Sequence, residues 1–145
     1  MLPATLVAAQ FALIVAICVP WAAAERHWPA GVAALAIAAG VALGAWALTA
    51  NRPGNFNVRP LPREGGRLAT TGPYRWVRHP MYAAVLLVTL GGCLAFGSGW
   101  RWLAWLALSG VLHAKAVLEE RAMTAHHPDY ADYAARTKRI VPFVW

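Results

Sequence analysis

Four apolar runs, separated by polar breaks of very unequal length, organise this chain: 2–24, 28–50, 80–97 and 100–118. Each holds about 18–23 residues, enough for a helix to cross a hydrocarbon core of roughly 30 Å. In lipid every backbone polar group must be satisfied within its own segment, so runs of this kind predict helices. The breaks at Glu25-Arg26-His27 and Gly97-Ser98-Gly99 are long enough only for turns. The predicted fold class is therefore an all-α integral membrane protein with about four transmembrane helices. It forms one domain over 1–145: two N-terminal spans (1–50), a loop (51–79), a helical hairpin (80–118) and a tail (119–145).

Composition agrees with this pattern. The chain has 145 residues, of which 59% are hydrophobic and only 13% charged, with a mean hydropathy of +0.46. A soluble domain would carry nearer a quarter charged residues. The net charge is +7, and Arg52, Arg59, Arg63, Arg67, Arg75 and Arg78, offset only by Glu64, place five of those seven charges in the 51–79 loop. Basic residues packed beside membrane spans report topology and anionic headgroups, so a lipid bilayer and not a nucleic acid is the expected partner. The positive-inside rule puts loop, tail and both termini on the cytoplasmic side. Trp21, Trp28, Trp100 and Trp102 flank the two short turns, as an interfacial belt would. Ala22-Ala23-Ala24 resembles a signal-peptide cleavage site, but no Lys or Arg precedes the apolar run, so a retained helix is expected. Cys18 and Cys93 fall inside apolar runs and read as unpaired thiols acting as small hydrophobes. Gly40 and Gly44 form a GxxxG, expected to pack the first span on the second.

The loop 51–79 is rich in Pro, Gly and Arg, which excludes a long regular element and suggests a lid over the cytoplasmic face. It ends in Arg78-His79-Pro80-Met81-Tyr82. Pro80 suits the first position of a helix, since its missing N–H costs nothing there. The N–H groups of Met81, Tyr82 and Ala83 would then favour an anion, reinforced by Arg75 and Arg78. His79 is a candidate cap or donor, and Tyr74, Trp76 and Tyr82 offer flat surfaces. One hairpin later Glu119-Glu120 follow the fourth apolar run, where the helix dipole disfavours negative charge. Lys115, four residues before Glu119, is a candidate partner. An antiparallel hairpin brings the start of the third span and the end of the fourth to one face. A basic helix mouth and a carboxylate pair then meet, which suits a small zwitterion. In the tail, Pro128 suits the first turn of a helix, with Asp129 and Asp132 at its positive end and Arg136, Lys138 and Arg139 at its negative end. Tyr130 and Tyr133 share a face. His126 and His127 are adjacent and point apart, so no metal role is expected.

Taken together, Leu68-Ala-Thr-Thr-Gly-Pro-Tyr-Arg-Trp-Val-Arg-His-Pro-Met-Tyr82, Glu119-Glu120, Tyr130-x-x-Tyr133 and Arg139-Ile-Val-Pro142 make the 72–145 half resemble the isoprenylcysteine carboxyl methyltransferase family and the related membrane phospholipid methyltransferases. The resemblance implies S-adenosylmethionine as cofactor and a lipid-like or amphipathic methyl acceptor, methylated on a carboxylate or an amine. It implies that Arg78, His79, Pro80, Tyr82, Glu119 and Glu120 form the cofactor pocket, that Tyr74, Arg75 and Val77 line its approach, and that Arg139 lies over the reacting region. Arg78, Glu120 and Arg139 are the catalytic candidates. Ala125-His126-His127-Pro128 departs from the family's usual step before the tyrosines, which bears on acceptor identity. Two other readings stand beside this one: an NADPH-dependent membrane reductase-like protein, and a non-catalytic scaffold with the same fold. Oligomeric state is not encoded in any motif of the chain.

Overall fold

A computed structural model describes residues 2–20, 28–51 and 68–141 of the chain. Five α-helices lie among them: α1 (Leu2–Cys18), α2 (Ala30–Ala50), α3 (Pro80–Phe96), α4 (Gly99–His126) and α5 (Tyr130–Arg136). A short 3₁₀ turn, Gly72–Arg75, precedes α3. Four expectations lie outside the described residues: the turn at 25–27, the Ala22-Ala23-Ala24 site, the body of the 52–67 loop, and the return of the tail over 142–145.

The all-α expectation holds, and the span count is refined. By length and composition α2 is the one helix among the described residues long and apolar enough to cross a membrane; α1 and α3 are shorter apolar helices. At 17 residues each, α1 and α3 rise about 25 Å. α4 is far longer than the apolar run that announced it. Its 28 residues carry Arg101, Lys115, Glu119, Glu120 and Arg121 in one unbroken helix. Glu119 and Glu120 are therefore not at a helix end, as expected, but more than a turn inside it. Dipole repulsion, which acts over the last turn, is correspondingly weaker there.

The helices pack chiefly in two pairs, α2 against α3 and α1 against α4, with α3 also touching α1 and α4. The α2–α3 contact is built from small residues. Ala33, Gly40 and Ala47, seven apart, are the buried positions of α2, and such spacing keeps one seam facing its partner. A Cβ on Gly40 would lie 2.7 Å from Val88 Cγ2 and 2.8 Å from both the Ala84 carbonyl oxygen and the Val88 nitrogen. Gly91 of α3 makes the reciprocal approach to Ile37 and the Ala33 carbonyl. The GxxxG thus packs α2 on α3, not α1 on α2: the close partner is another Gly- and Ala-containing helix, which lets the backbones approach.

Ile17, Cys93, Leu108 and Leu112 form the buried centre where α1, α3 and α4 meet. Cys93 is buried and Cys18 half-buried, both as free thiols. Leu35, Val41, Leu103 and Leu106 point outward, the arrangement a bilayer stabilises and water does not. Gly97 (φ 70°) caps the C-terminus of α3 in the left-handed region and lets the chain turn directly into α4. Beyond it, the buried Arg101 donates to the carbonyls of Ile17 and Val19. It lies over the rings of Phe96 and Trp100, at 4.5 and 4.9 Å. A cation at the C-terminal carbonyls of α1 matches that helix's dipole.

A Gly40→Ala substitution is expected to destabilise the fold by about 1–3 kcal/mol, because backbone atoms must give way. Gly110→Ala, with nothing within 4 Å of the added carbon, should be neutral or stabilising by up to about 1 kcal/mol through helix propensity. Thermal and denaturant unfolding in detergent micelles checks both.

Candidate active site

The segment after the 3₁₀ turn cannot enter α3 directly, because the residue before a proline avoids helical geometry. It runs extended instead and pairs with the segment after α5. Val77 and Lys138 form an isolated parallel bridge. The N–H of Arg78 donates to the Lys138 carbonyl (2.7 Å), that of His79 to the Arg139 carbonyl (2.9 Å), and that of Lys138 to the Trp76 carbonyl (2.9 Å). The buried Tyr133 hydroxyl donates to the Tyr74 carbonyl at 2.7 Å and ties α5 to the 3₁₀ turn. Tyr130 and Tyr133 meet edge to face at 5.9 Å. Arg78, His79 and Arg139 are thereby set side by side, facing α4.

Glu120 is the centre of what they face. Arg78 Nε donates to it at 2.8 Å. Arg139 grips it with Nε (3.1 Å to each oxygen) and Nη2 (2.9 Å). His79 Nε2 lies 3.2 Å from the same carboxylate. The other ring nitrogen, Nδ1, lies 3.3 Å from Glu119 Oε2, so one imidazole spans both acids. Tyr82 stacks on His79, centroids 5.2 Å apart and planes at 4°. Its hydroxyl donates to Glu119 at 2.5 Å. Arg78 also donates to the carbonyls of Ala134 (2.9 Å) and Thr137.

The electrostatics follow from these contacts. Burial pushes the Glu120 carboxyl upward, but hydrogen bonds from His79, Arg139 and Arg78 outweigh it and hold the group well below the usual carboxylate range. Burial likewise pulls His79 down, yet hydrogen bonds to Glu119 and Glu120 and their charges win, and the imidazole is raised. An imidazole with an acid at each nitrogen is best satisfied with both nitrogens protonated. The Glu120 hydrogen bond raises Arg139, against a smaller effect of burial.

Exposure sorts the cluster. Side-chain accessibility is 9% for His79, 11% for Arg78 and 13% for Glu120, but 22% for Glu119 and 24% for Arg139. The reachable edge thus carries one acid and one base.

Sequence reasoning placed Arg78, His79, Pro80, Tyr82, Glu119, Glu120 and Arg139 together, and the structure does bring them together. Pro80 opens α3, as expected. His79 does not cap that helix with its side chain, because both ring nitrogens are directed at the acids. The N–H groups of Tyr82 and Ala83 are not open to an anion either, since both bond the His79 carbonyl, at 3.0 and 3.2 Å. Tyr74 and Val77 are buried supports. Arg75 stays outside the cluster and lies over the exposed Trp76 ring, 5.0 Å away. Pro128 falls in the turn before α5 and Asp129 takes the N-cap position. Lys138 and Arg139 lie past the end of α5, held by the bridge instead of by the helix dipole. The part played by the Ala134 and Thr137 carbonyls was missed and left no signal, being backbone groups. Lys115 was expected to pair with Glu119; its ammonium donates to Gln10 at 2.6 Å, and Glu119 stands one turn away on the same helix. The signal for that contact was a lone Gln midway along an apolar run. Among the described residues no three His, Cys, Asp or Glu side chains are grouped to hold a metal ion.

Comparison with known proteins places the chain in a family. Residues 28–129 match the sequence model for phospholipid methyltransferases. The chain belongs to the phospholipid methyltransferase family. As a member it is a helical, methyltransferase-like membrane protein, and the family's enzymes use S-adenosylmethionine. It is 38% identical over 82 residues to the cobalt-zinc-cadmium resistance protein CzcN of Cupriavidus metallidurans, covering 55% of this chain and 38% of that one. It is 37% identical over 84 residues to the nickel-cobalt-cadmium resistance protein NccN of Alcaligenes xylosoxydans xylosoxydans, with the same coverage of each. The chain thus spans about two-fifths of the length of these relatives. No solved structure matches it significantly.

Two pH limits follow. Glu120 is lowered in the fold, so its stabilisation is present above the ordinary 4.5 and is lost as pH falls below that value. His79 is raised, so its stabilisation is complete below the ordinary 6.5 and is lost as pH climbs through the folded value. Unfolding measured across pH should therefore show loss on both flanks, and His79→Gln should flatten the alkaline one. Glu120→Gln, which leaves Arg78 and Arg139 without their counter-charge, should cost about 3–5 kcal/mol.

Proposed function

We propose that this protein is a membrane-embedded S-adenosylmethionine-dependent methyltransferase of the isoprenylcysteine carboxyl methyltransferase type. Its acceptor is lipid-like or amphipathic, and its active site faces the cytoplasm. The observation that carries the reading is the accessible edge formed by Glu119 and Arg139, beside the more buried Arg78, His79 and Glu120. The amino-acid end of S-adenosylmethionine carries an ammonium and a carboxylate, and those two side chains match it in sign. The residues present thus fit the cofactor.

Within this reading Glu120 is a positioning residue that aims Arg78 and Arg139. Glu119 faces the ammonium, and Arg139, held by Glu120, orients a carboxylate through its guanidinium. When bound, S-adenosylmethionine supplies a methyl group on a sulfonium; its transfer to a carboxylate oxygen forms one C–O bond and returns the C–S pair to sulfur. No proton is released, so no base is required. That suits this site, where the two candidate bases are both engaged: Glu120 is held ionised by cations and His79 is clasped between two acids. A carboxylate acceptor is therefore preferred to an amine. The basic loop supports a cytoplasmic orientation, and the outward apolar faces of α2 and α4 support lateral entry of a lipidic acceptor. Metal resistance appears in the names of CzcN and NccN and belongs to those longer proteins.

Calorimetric titration of the purified protein should show S-adenosylmethionine binding and no NADPH binding. Glu119→Gln should weaken the former about 10–100-fold, the worth of one charge-assisted hydrogen bond. Incubation with methyl-labelled donor in native lipid extract should yield S-adenosylhomocysteine and a base-labile labelled ester. NADPH binding, or the absence of both cofactor binding and label, refutes the assignment.

A further inference from the structure

Lys115 is buried in the bundle, far along α4 from the cap region that holds Arg101. A buried ammonium is costly in an apolar bundle unless it is satisfied, and charged residues at such depth mark function more often than packing. Two of its contacts carry the argument. Its Nζ donates to Oε1 of Gln10, itself buried on α1, at 2.6 Å. The same atom lies 5.2 Å from the centre of the Tyr82 ring. Glu119 stands one helical turn further along α4. The Tyr82 ring also stacks on His79, and its hydroxyl holds Glu119. Tyr82 is therefore held by a cation and an imidazole, and it in turn fixes the more accessible acid of the site.

We propose that Gln10 and Lys115 form a positioning pair: the ammonium, aimed by Gln10, holds Tyr82 and through it sets Glu119 and His79 for ligand binding. The pair brings α1 into the active site, although α1 lies outside the 28–129 segment matched by the family. Lys115 itself touches neither cofactor nor acceptor in this assignment. The inference that the ligand is S-adenosylmethionine rests on the function proposed above, whereas the coupling from Lys115 to His79 does not.

A test must separate positioning from packing. Lys115→Met alone strands the Gln10 side chain, which confounds the two. The double variant Gln10→Met/Lys115→Met replaces both partners by apolar groups of similar length, a change that is close to neutral for stability when both ends of a hydrogen bond are removed. It should keep the wild-type melting temperature within a few degrees. It should also weaken S-adenosylmethionine binding about fivefold, within the range of one cation–π contact. The ¹⁵N imidazole resonances of His79, assigned by their loss in His79→Gln, should shift in the double variant without added ligand. Should the double variant fail to fold, Lys115→Gln keeps a hydrogen bond to Gln10 without the charge, and the same two readouts apply. Cofactor affinity within twofold of wild type overturns the proposal, and so do unmoved His79 resonances. In a wild-type protein that binds no S-adenosylmethionine the resonances alone decide, so failure of the functional assignment is distinguishable from failure of the positioning pair.

Discussion

One carboxylate carries the site. Glu120 receives Arg78, Arg139 and His79 at 2.8–3.2 Å, and these three come from segments roughly 60 residues apart in sequence. Without that negative charge three cationic groups would repel one another beside an apolar bundle. With it they pack, and the extended strand before α3 and the strand after α5 can run together. The local backbone bridge and the ion cluster are thus mutually dependent. The bridge aligns the basic side chains, and the acid on α4 makes that alignment tolerable.

How much of this was visible beforehand depended on whether the controlling physics is local. Helix positions followed from runs of apolar residues, and the start of α3 from a proline whose restriction on His79 is intrinsic to the chain. The meeting of the basic mouth with the acid pair followed from topology, because a short turn between α3 and α4 leaves few alternatives. The true length of α4 was not legible. Its last two turns are polar and carry no hydrophobic signature, yet the helix continues because those turns dock against the tail. The partner of the Gly40 seam was also misassigned, since a small-residue motif states that a close contact exists and not with whom. The role of His79 was half legible: its neighbourhood was right, but a side chain that spans two acids cannot also cap a helix.

The cluster also shows why formal charge is a poor guide to reactivity. Glu120, the acid that the sequence made most prominent, is the least available of the pair, being saturated by its neighbours. The accessible acid is Glu119, whose surroundings are a hydroxyl, an imidazole and, deeper, an ammonium. Membership of the phospholipid methyltransferase family says what kind of chemistry that family hosts, and under the function proposed above the saturated and the available carboxylate would divide the labour between positioning and binding.

The pairing of helices has a consequence for biosynthesis. α2 and α3 are neighbours in sequence order and can zip together along their Gly- and Ala-lined seam as soon as both have emerged. α1 has its main contacts with α4, more than 80 residues away, including the Arg101 grip on its final carbonyls and the Lys115 contact to Gln10. α1 is made before α4 and is locked only once α4 arrives, and until then its lone mid-helix amide has no ammonium to receive. Glu120 arrives on that same helix, so the charged cluster cannot be finished before α4 is in place.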